Sequence, residues 1–332
     1  MQYFKELSKN DIGDEDFEDI TVENNNKLES CIKYGVRLKA RNVYVKGNVD
    51  QSNIIASNAY IEGQTHSRSN IKAAKVYVKH CKGKIIADCV VVDNLEGGVI
   101  RARKVYIDTC VSGKIIADYI YIKNCLSYNE ICAKRYLVLD EISGDMNTFE
   151  INPEKFLREA NSKDFFQKQL TLNQLENKLK HTVDRLNEAK AFIVKNCHNI
   201  YKIKKIKEKN TIYQKNISLY NSVLEKYQEY FGRYQDIVRL LYVVKTQVNS
   251  VLHMAFNGKI ILIKDNKGAD NLIKFTIMDN KKNKDYRHIL KNDFCRVFYL
   301  YKHKNPSLRS HEDINQENLS WIENIKKDVF ED

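Results

Sequence analysis

Three cysteines recur at one place in an internal repeat. Cys81, Cys110 and Cys125 each lie eight residues after a repeat alanine, and Leu95 holds that place in the copy between. Stacked thiols would suit metal or redox chemistry. Leu95 breaks the series, which points instead to a small inward apolar slot that accepts Cys or Leu. His66 and His80 fall on neighbouring copies, but two nitrogens without a third ligand make a poor zinc site. The phosphate loops GxGxxG and GxxxxGK are absent, as are GxSxG and HExxH. No catalytic residue, cofactor, metal or small-molecule substrate is therefore expected.

Two surface features could carry binding chemistry. One is a row of aromatics at a single repeat position: Tyr44, Tyr60, Tyr77, Val91, Tyr106, Tyr121 and Leu137. Stacked on adjacent strands, such rings stabilise a sheet face; they also offer a surface to a partner or to the chain's own strands. The other is a basic run, Lys202, Lys204, Lys205, Lys207 and Lys209, with one acid, Glu208. Such a run attracts an anionic surface, and its pull weakens as salt rises.

The elements that hold these residues follow from the repeat. A branched apolar residue, any residue, Ala, two residues and a strand-like triplet recur seven times, as in IKAAKVYV (Ile71–Val78) and IRARKVYI (Ile100–Ile107). The alanines are Ala40, Ala56, Ala73, Ala87, Ala102, Ala117 and Ala133, at spacings of 16, 17, 14, 15, 15 and 16 residues. That period is too short for two packed helices and suits one coil of a β-solenoid. The first residue and the Ala point inward, with the Ala at a tight corner. The outer residues of the triplet point in and its middle residue points out. Glycines fall between copies, where turns are needed.

The 332-residue chain has room for two or three units, and its 43% hydrophobic content suffices for a core. No apolar run approaches the ~20 residues of a membrane span. The first residues lack the order of a signal peptide. Eight cysteines without a CxxC pair read as a reducing, cytoplasmic setting. The net charge of +12 is uneven: residues 1–30 carry −6 and residues 305–332 carry −4, leaving +22 between. A basic middle can face nucleic acid, anionic lipid or an acidic protein, or be covered by its own acidic ends.

Residues 1–35 read as an acidic lead-in, with a short helix at most. The solenoid runs over 36–152. Residues 153–257 change to a helical period. Leu172, Leu179, Leu186, Ile193 and Ile200 recur every seven residues, with Leu175, Thr182, Ala189, Asn196 and Ile203 as the second seam position. After a polar break at Lys207-Glu208-Lys209-Asn210 a second run follows. Its positions are Ile217, Leu224, Phe231 and Val238 with Tyr220, Tyr227, Tyr234, Leu241, Val248 and Ala255. Two such helices make an antiparallel coiled-coil hairpin, each arm roughly 60 Å long. Residues 258–304 read as returning strands, Lys259–Ile263, Ile273–Met278 and Arg296–Tyr301, that cap the open solenoid. Residues 305–332 close with an amphipathic helix carrying Trp321, the only Trp.

A short-period β-solenoid interrupted by a helical hairpin and closed by strands resembles the flagellar assembly protein A family of bacteria. The rungs that carry the likeness are KIIADCVVVDNLEGGVIRARKVYI (Lys84–Ile107) and KIIADYIYIKNC (Lys114–Cys125). The chain departs in having only about 30 residues where members often have a separate N-terminal domain, and fewer GG turns. The resemblance implies a right-handed parallel β-helix, a cytoplasmic location and a non-catalytic role in flagellar assembly or polar placement. It offers no catalytic residues. The expected partners are proteins at the cell pole or flagellar base; self-association and a membrane surface come next, and nucleic acid after them. Alternative readings are a bactofilin-like filament former, a nucleic-acid or membrane-surface binder, and a β-helix transferase. Hexapeptide transferases have coils of about 18 residues, longer than those here.

Overall fold

The computed structural model describes residues 2–4, 6–8, 17–24, 29–153, 155–156, 162–206, 211–252, 254–279, 282–291, 296–303, 305–315 and 319–330. They form two compact units: residues 1–156 with 252–332, and residues 157–251.

The first unit is a β-solenoid of about eight turns. Its coils are long bent strands: β2 (Phe17–Glu23), β4 (Arg37–Lys46), β6 (Asn53–Gln64), β7 (Asn70–Cys81), β8 (Lys84–Glu96), β9 (Val99–Val111), β10 (Lys114–Cys125) and β11 (Glu130–Ile142). Neighbours pair in parallel, so like residues stack: Ala87 on Ala102, and Ala102 on Ala117. The inward column Leu38, Ile54, Ile71, Ile85, Ile100, Ile115, Ile131 is almost wholly buried, as are both outer triplet positions of the first six copies. Each such side chain contributes about 1.5–3 kcal/mol of burial. That exceeds any exposed ion pair on the coil, such as Lys114 with Glu130. The aliphatic columns therefore set the register.

The start of the chain departs from the expected lead-in. β1 (Gln2–Phe4) pairs with β2, β2 pairs with β4, and β3 (Ser30–Ile32) pairs with β5 (Asn48–Val49). The acids hid an alternation. In FEDITVE, Ile20 and Val22 are buried while Asp19 turns out to accept a hydrogen bond from Asn42.

A second departure lies in β11. Its register shifts by one residue at the corner, so Tyr121 pairs with Val138 and Ile120 with Leu137. Leu137 is therefore inward and fully buried, not the outward residue of its copy. The run YLVL explains the slip: one bulged residue puts both Leu137 and Leu139 in the core.

The returning strands are not all a cap. β12 (Thr148–Ile151) covers the first half of β11, and β13 (Lys259–Leu262) covers its second half. Together they make one coil. The 105 residues from 153 to 257 are inserted at its corner, opposite Lys134 and Arg135. β14 (Asn271–Asp279) then lies parallel on β12. Closure comes from antiparallel strands: β15 (Lys282–Leu290) on β14, β16 (Arg296–Tyr301) on β13, and β17 (Ser307–His311) on β16.

The last coils carry a buried asparagine ladder at one corner. Asn129 accepts from the Gly113 amide at 2.8 Å; Asn147 accepts from the Asn129 amide and Asn271 from the Asn147 amide, each at 2.9 Å. These side chains satisfy turn amides that the core would otherwise strand. Lower in the same column stands Gly113. A Cβ there would lie 2.6 Å from Leu95 and 2.8 Å from the Cys110 sulfur, so any larger residue would have to displace these two side chains.

The second unit is a helical hairpin of α1 (Ser162–Ile206) and α2 (Thr211–Leu252). In α1 the expected seam is the shielded one, from Leu172 through Leu175, Leu186 and Ala189 to Ile200. Thr182 and Asn196 bond the carbonyls of Lys178 and Phe192 in their own helix, so they do not tie α1 to α2. In α2 the expected position at Tyr220, Tyr227, Tyr234, Leu241 and Val248 is shielded, and the other seam position moves back by one residue. From Tyr227 onward the shielded residues are Tyr230, Tyr234, Ile237, Leu241, Val244 and Val248, while Phe231 is 45% and Val238 39% exposed.

Candidate partner-binding surfaces

The tyrosine column stands on the outward triplet position, with Tyr44 on Tyr60, Tyr60 on Tyr77 and Tyr106 on Tyr121 in register. Tyr44 and Tyr60 stack at 5.1 Å with planes 4° apart, and Tyr106 and Tyr121 lie 4.9 Å apart. This face is taken by the chain's own C-terminal helix, α3 (Ser320–Phe330). The helix forms because Trp321, Ile325 and Val329 recur every four residues on one side, with Glu323 in the first turn and Lys327 in the last.

The seat is specific. Ile325 and Val329 are fully buried against Cys89, Val91 and Tyr106. The Tyr60 hydroxyl donates to the Val329 carbonyl at 2.7 Å, and Lys104 pairs with Asp328 at 2.7 Å. Lys326 lies 4.1 Å from the centre of the Tyr106 ring. Phe330 meets Tyr77 at 5.2 Å, and Trp321 meets Tyr119 at 5.3 Å. Above them, Ile314, Leu319 and Trp321 pack on Val138 and Ile261. Burial, and after it Asp108, pushes the Tyr106 phenol up to about 12. Burial and the bond to Asp93 raise Tyr77 as well. The face is a neutral aromatic seat for a helix, with tyrosines 60, 77, 106 and 121 engaged and Tyr44 at its edge. Sequence reasoning left this pairing unseen. The signal was two apolar surfaces without partners, the column and the side of the last helix.

The basic run has a different surrounding. Lys202 is exposed on α1. Lys204 and Lys205 belong to its last turns, but their side chains lie outside the described residues, as do Lys207 and Lys209 entirely. Nearby, Asn196, Asn199 and Asn216 line a gap of about 450 Å³ between α1 and α2.

The cysteine column sits in the core. Cys81, Cys110 and Cys125 are fully buried. Burial raises Cys81 to about 11 and Cys125 to about 12, so these thiols stay neutral. Among the described residues no group of three or more His, Cys, Asp or Glu could hold a metal ion. A cleft of about 660 Å³ opens beside Phe330, but its walls mix Lys46 and Lys79 with Glu62, and Lys46 is paired with Glu23. No single ligand charge is selected there.

One buried ion marks the base of the insertion. Glu150 on β12 meets Lys155 and Lys274, with Asn152 and Thr276 also in hydrogen-bond range. Burial pushes its pKa up, but the Lys155 bond and charge, Asn152 and Lys274 outweigh that and hold it below the ordinary value. Glu150 is thus charged at neutral pH and ties β12 and β14 to the segment leading into the hairpin.

No helix among the described residues is long and apolar enough to cross a membrane. Comparison with protein-family models, with curated proteins and with solved structures gives no match.

Proposed function

We propose that this chain is a non-enzymatic cytoplasmic scaffold or adaptor serving bacterial flagellar assembly or placement. The solenoid is its body, and the basic turn of the hairpin takes the protein partner. One observation supports this most: α3 already fills the tyrosine column, which leaves the lysine run as the other of the two binding surfaces legible in the sequence. The split coil adds to it, since both ends of the insertion are anchored on β11. The resemblance to the flagellar assembly protein A family supplies the process.

Changing Lys204, Lys205, Lys207 and Lys209 to Ser should leave the melting profile and helix content unchanged. It should abolish partner capture and polar localisation, because a cationic cluster acts mainly on association. Localisation and motility like the parent's would refute the lysine run as the contact. Steeply salt-dependent DNA binding, present in the parent and lost in the variant, would favour the nucleic-acid reading instead.

A further inference from the structure

One face of the solenoid carries cations without acids. From β4 to β10, the residues just before and just after each member of the buried Leu38-to-Ile115 column point outward. The residue after it stacks in register as Lys39, Ile55, Lys72, Ile86, Arg101 and Ile116. The residue before it supplies Arg37, Lys84 and Lys114, with Asn53, Asn70 and Val99 between them. No acid stands at either position in these coils. Arg37, Lys72 and Lys84 are exposed and have no ion pair to another described residue; Lys114, at the edge, meets Glu130. Elsewhere on the solenoid a cation meets an acid of the next coil, as Lys46 meets Glu23, Lys82 meets Glu96 and Lys264 meets Asp140. Ile55 is 48% exposed and Ile86 is partly exposed, whereas Ile116 is buried.

The charge on this face is spread, not clustered. No two of its cations are direct cross-strand partners; within these coils each faces Ile, Asn or Val, which lessens their mutual repulsion. Coils rise about 4.8 Å each, so the cations extend over roughly 25 Å. An outward isoleucine among lysines gains little in water beyond contact with the stems of its neighbours. A lipid surface uses both residue types: phosphate headgroups take the amine and guanidinium ends, and the boundary of the acyl region takes the isoleucines. Nucleic acid would meet the same cations, but stacking its bases needs rings, and neither position holds one. We infer that this face of the solenoid docks on an anionic lipid bilayer, with Arg37, Lys72 and Lys84 at the headgroups and Ile55 and Ile86 at the acyl boundary. The seat of α3 lies on the other half of the coils and stays covered. The inference does not rest on the proposed function, whose contact is the turn of the hairpin.

Flotation of the full chain with vesicles tests it, using phosphatidylcholine alone and phosphatidylcholine with phosphatidylglycerol. The parent should float with the mixed vesicles and not with phosphatidylcholine alone, and less so as salt rises. Lys72→Ser combined with Lys84→Ser should lower the partition coefficient by about tenfold or more, with the melting profile unchanged. Ile55→Ser should lower it too, without any change in charge. The four-lysine change at the hairpin turn should leave flotation intact, so this inference and the proposed function fail separately. A parent that does not float with the mixed vesicles would overturn the inference. So would variants of this face that float like the parent, or flotation lost only with the hairpin lysines. Binding to both mixed vesicles and duplex DNA that Ile55→Ser leaves unchanged would also overturn it, since the face would then hold polyanions by charge alone.

Discussion

Truncation after Asn257 is expected to yield a chain that aggregates on expression. The cut removes β13 to β17 and α3 together. Half of β11 and all of β12 then become unpaired parallel edges, the kind of edge that recruits other chains. The core loses Ile260, Leu262, Ile273, Phe275 and Phe298, all buried. At about 1.5–3 kcal/mol each, these five are comparable to the ~5–15 kcal/mol that holds a typical domain folded. Losing α3 uncovers Val91 and Tyr106 as well. Centrifugation of the lysate and a fibril-sensitive dye would read the outcome. A truncated chain that stays in the supernatant and melts like the parent would show that the terminal strands close nothing.

Ala117→Leu should be the most damaging of the alanine-column substitutions. Ala117 is fully buried, with the fully buried Ala133 on one side of it. A leucine has no free volume there, and overpacking costs about 1–3 kcal/mol or more. The same change at Ala87 should cost clearly less, because Ala87 is only partly buried against the core. Urea unfolding of both variants checks this. Equal midpoints would mean the column does not line the core as described.

The coil was readable because its signal is repeated and apolar. Seven alanines in near-constant spacing fix the strand faces without any knowledge of neighbours. Where one residue slipped, at Lys134 and Arg135, the text still matched the repeat, and only packing decided that Leu137 turns inward. The first coils were missed because Ile20 and Val22 are embedded among acids that resemble a solvated tail. The seat of α3 was missed for another reason. It joins residues more than two hundred positions apart, as in Lys104 with Asp328, and no local period reports such a pair. Lys104 is largely covered by that contact. In the hairpin, α1 kept its expected seam. α2 kept Tyr227, Tyr234, Leu241 and Val248, but its second seam position moved back one residue to Tyr230, Ile237 and Val244, which leaves Phe231 and Val238 outside.

In the proposed function the solenoid is a body and the inserted hairpin the contact with a protein partner. The most direct measurement replaces residues 157–251 with a short Gly-Ser linker and compares cross-linked partners recovered from the native cell. Both ends of the excised segment border the first compact unit, so β12 and β13 should still complete their coil and the solenoid should melt within a few degrees of the parent. The shortened chain, still folded, should recover none of the parent's partners. A folded, shortened chain that recovers the same partners would contradict it.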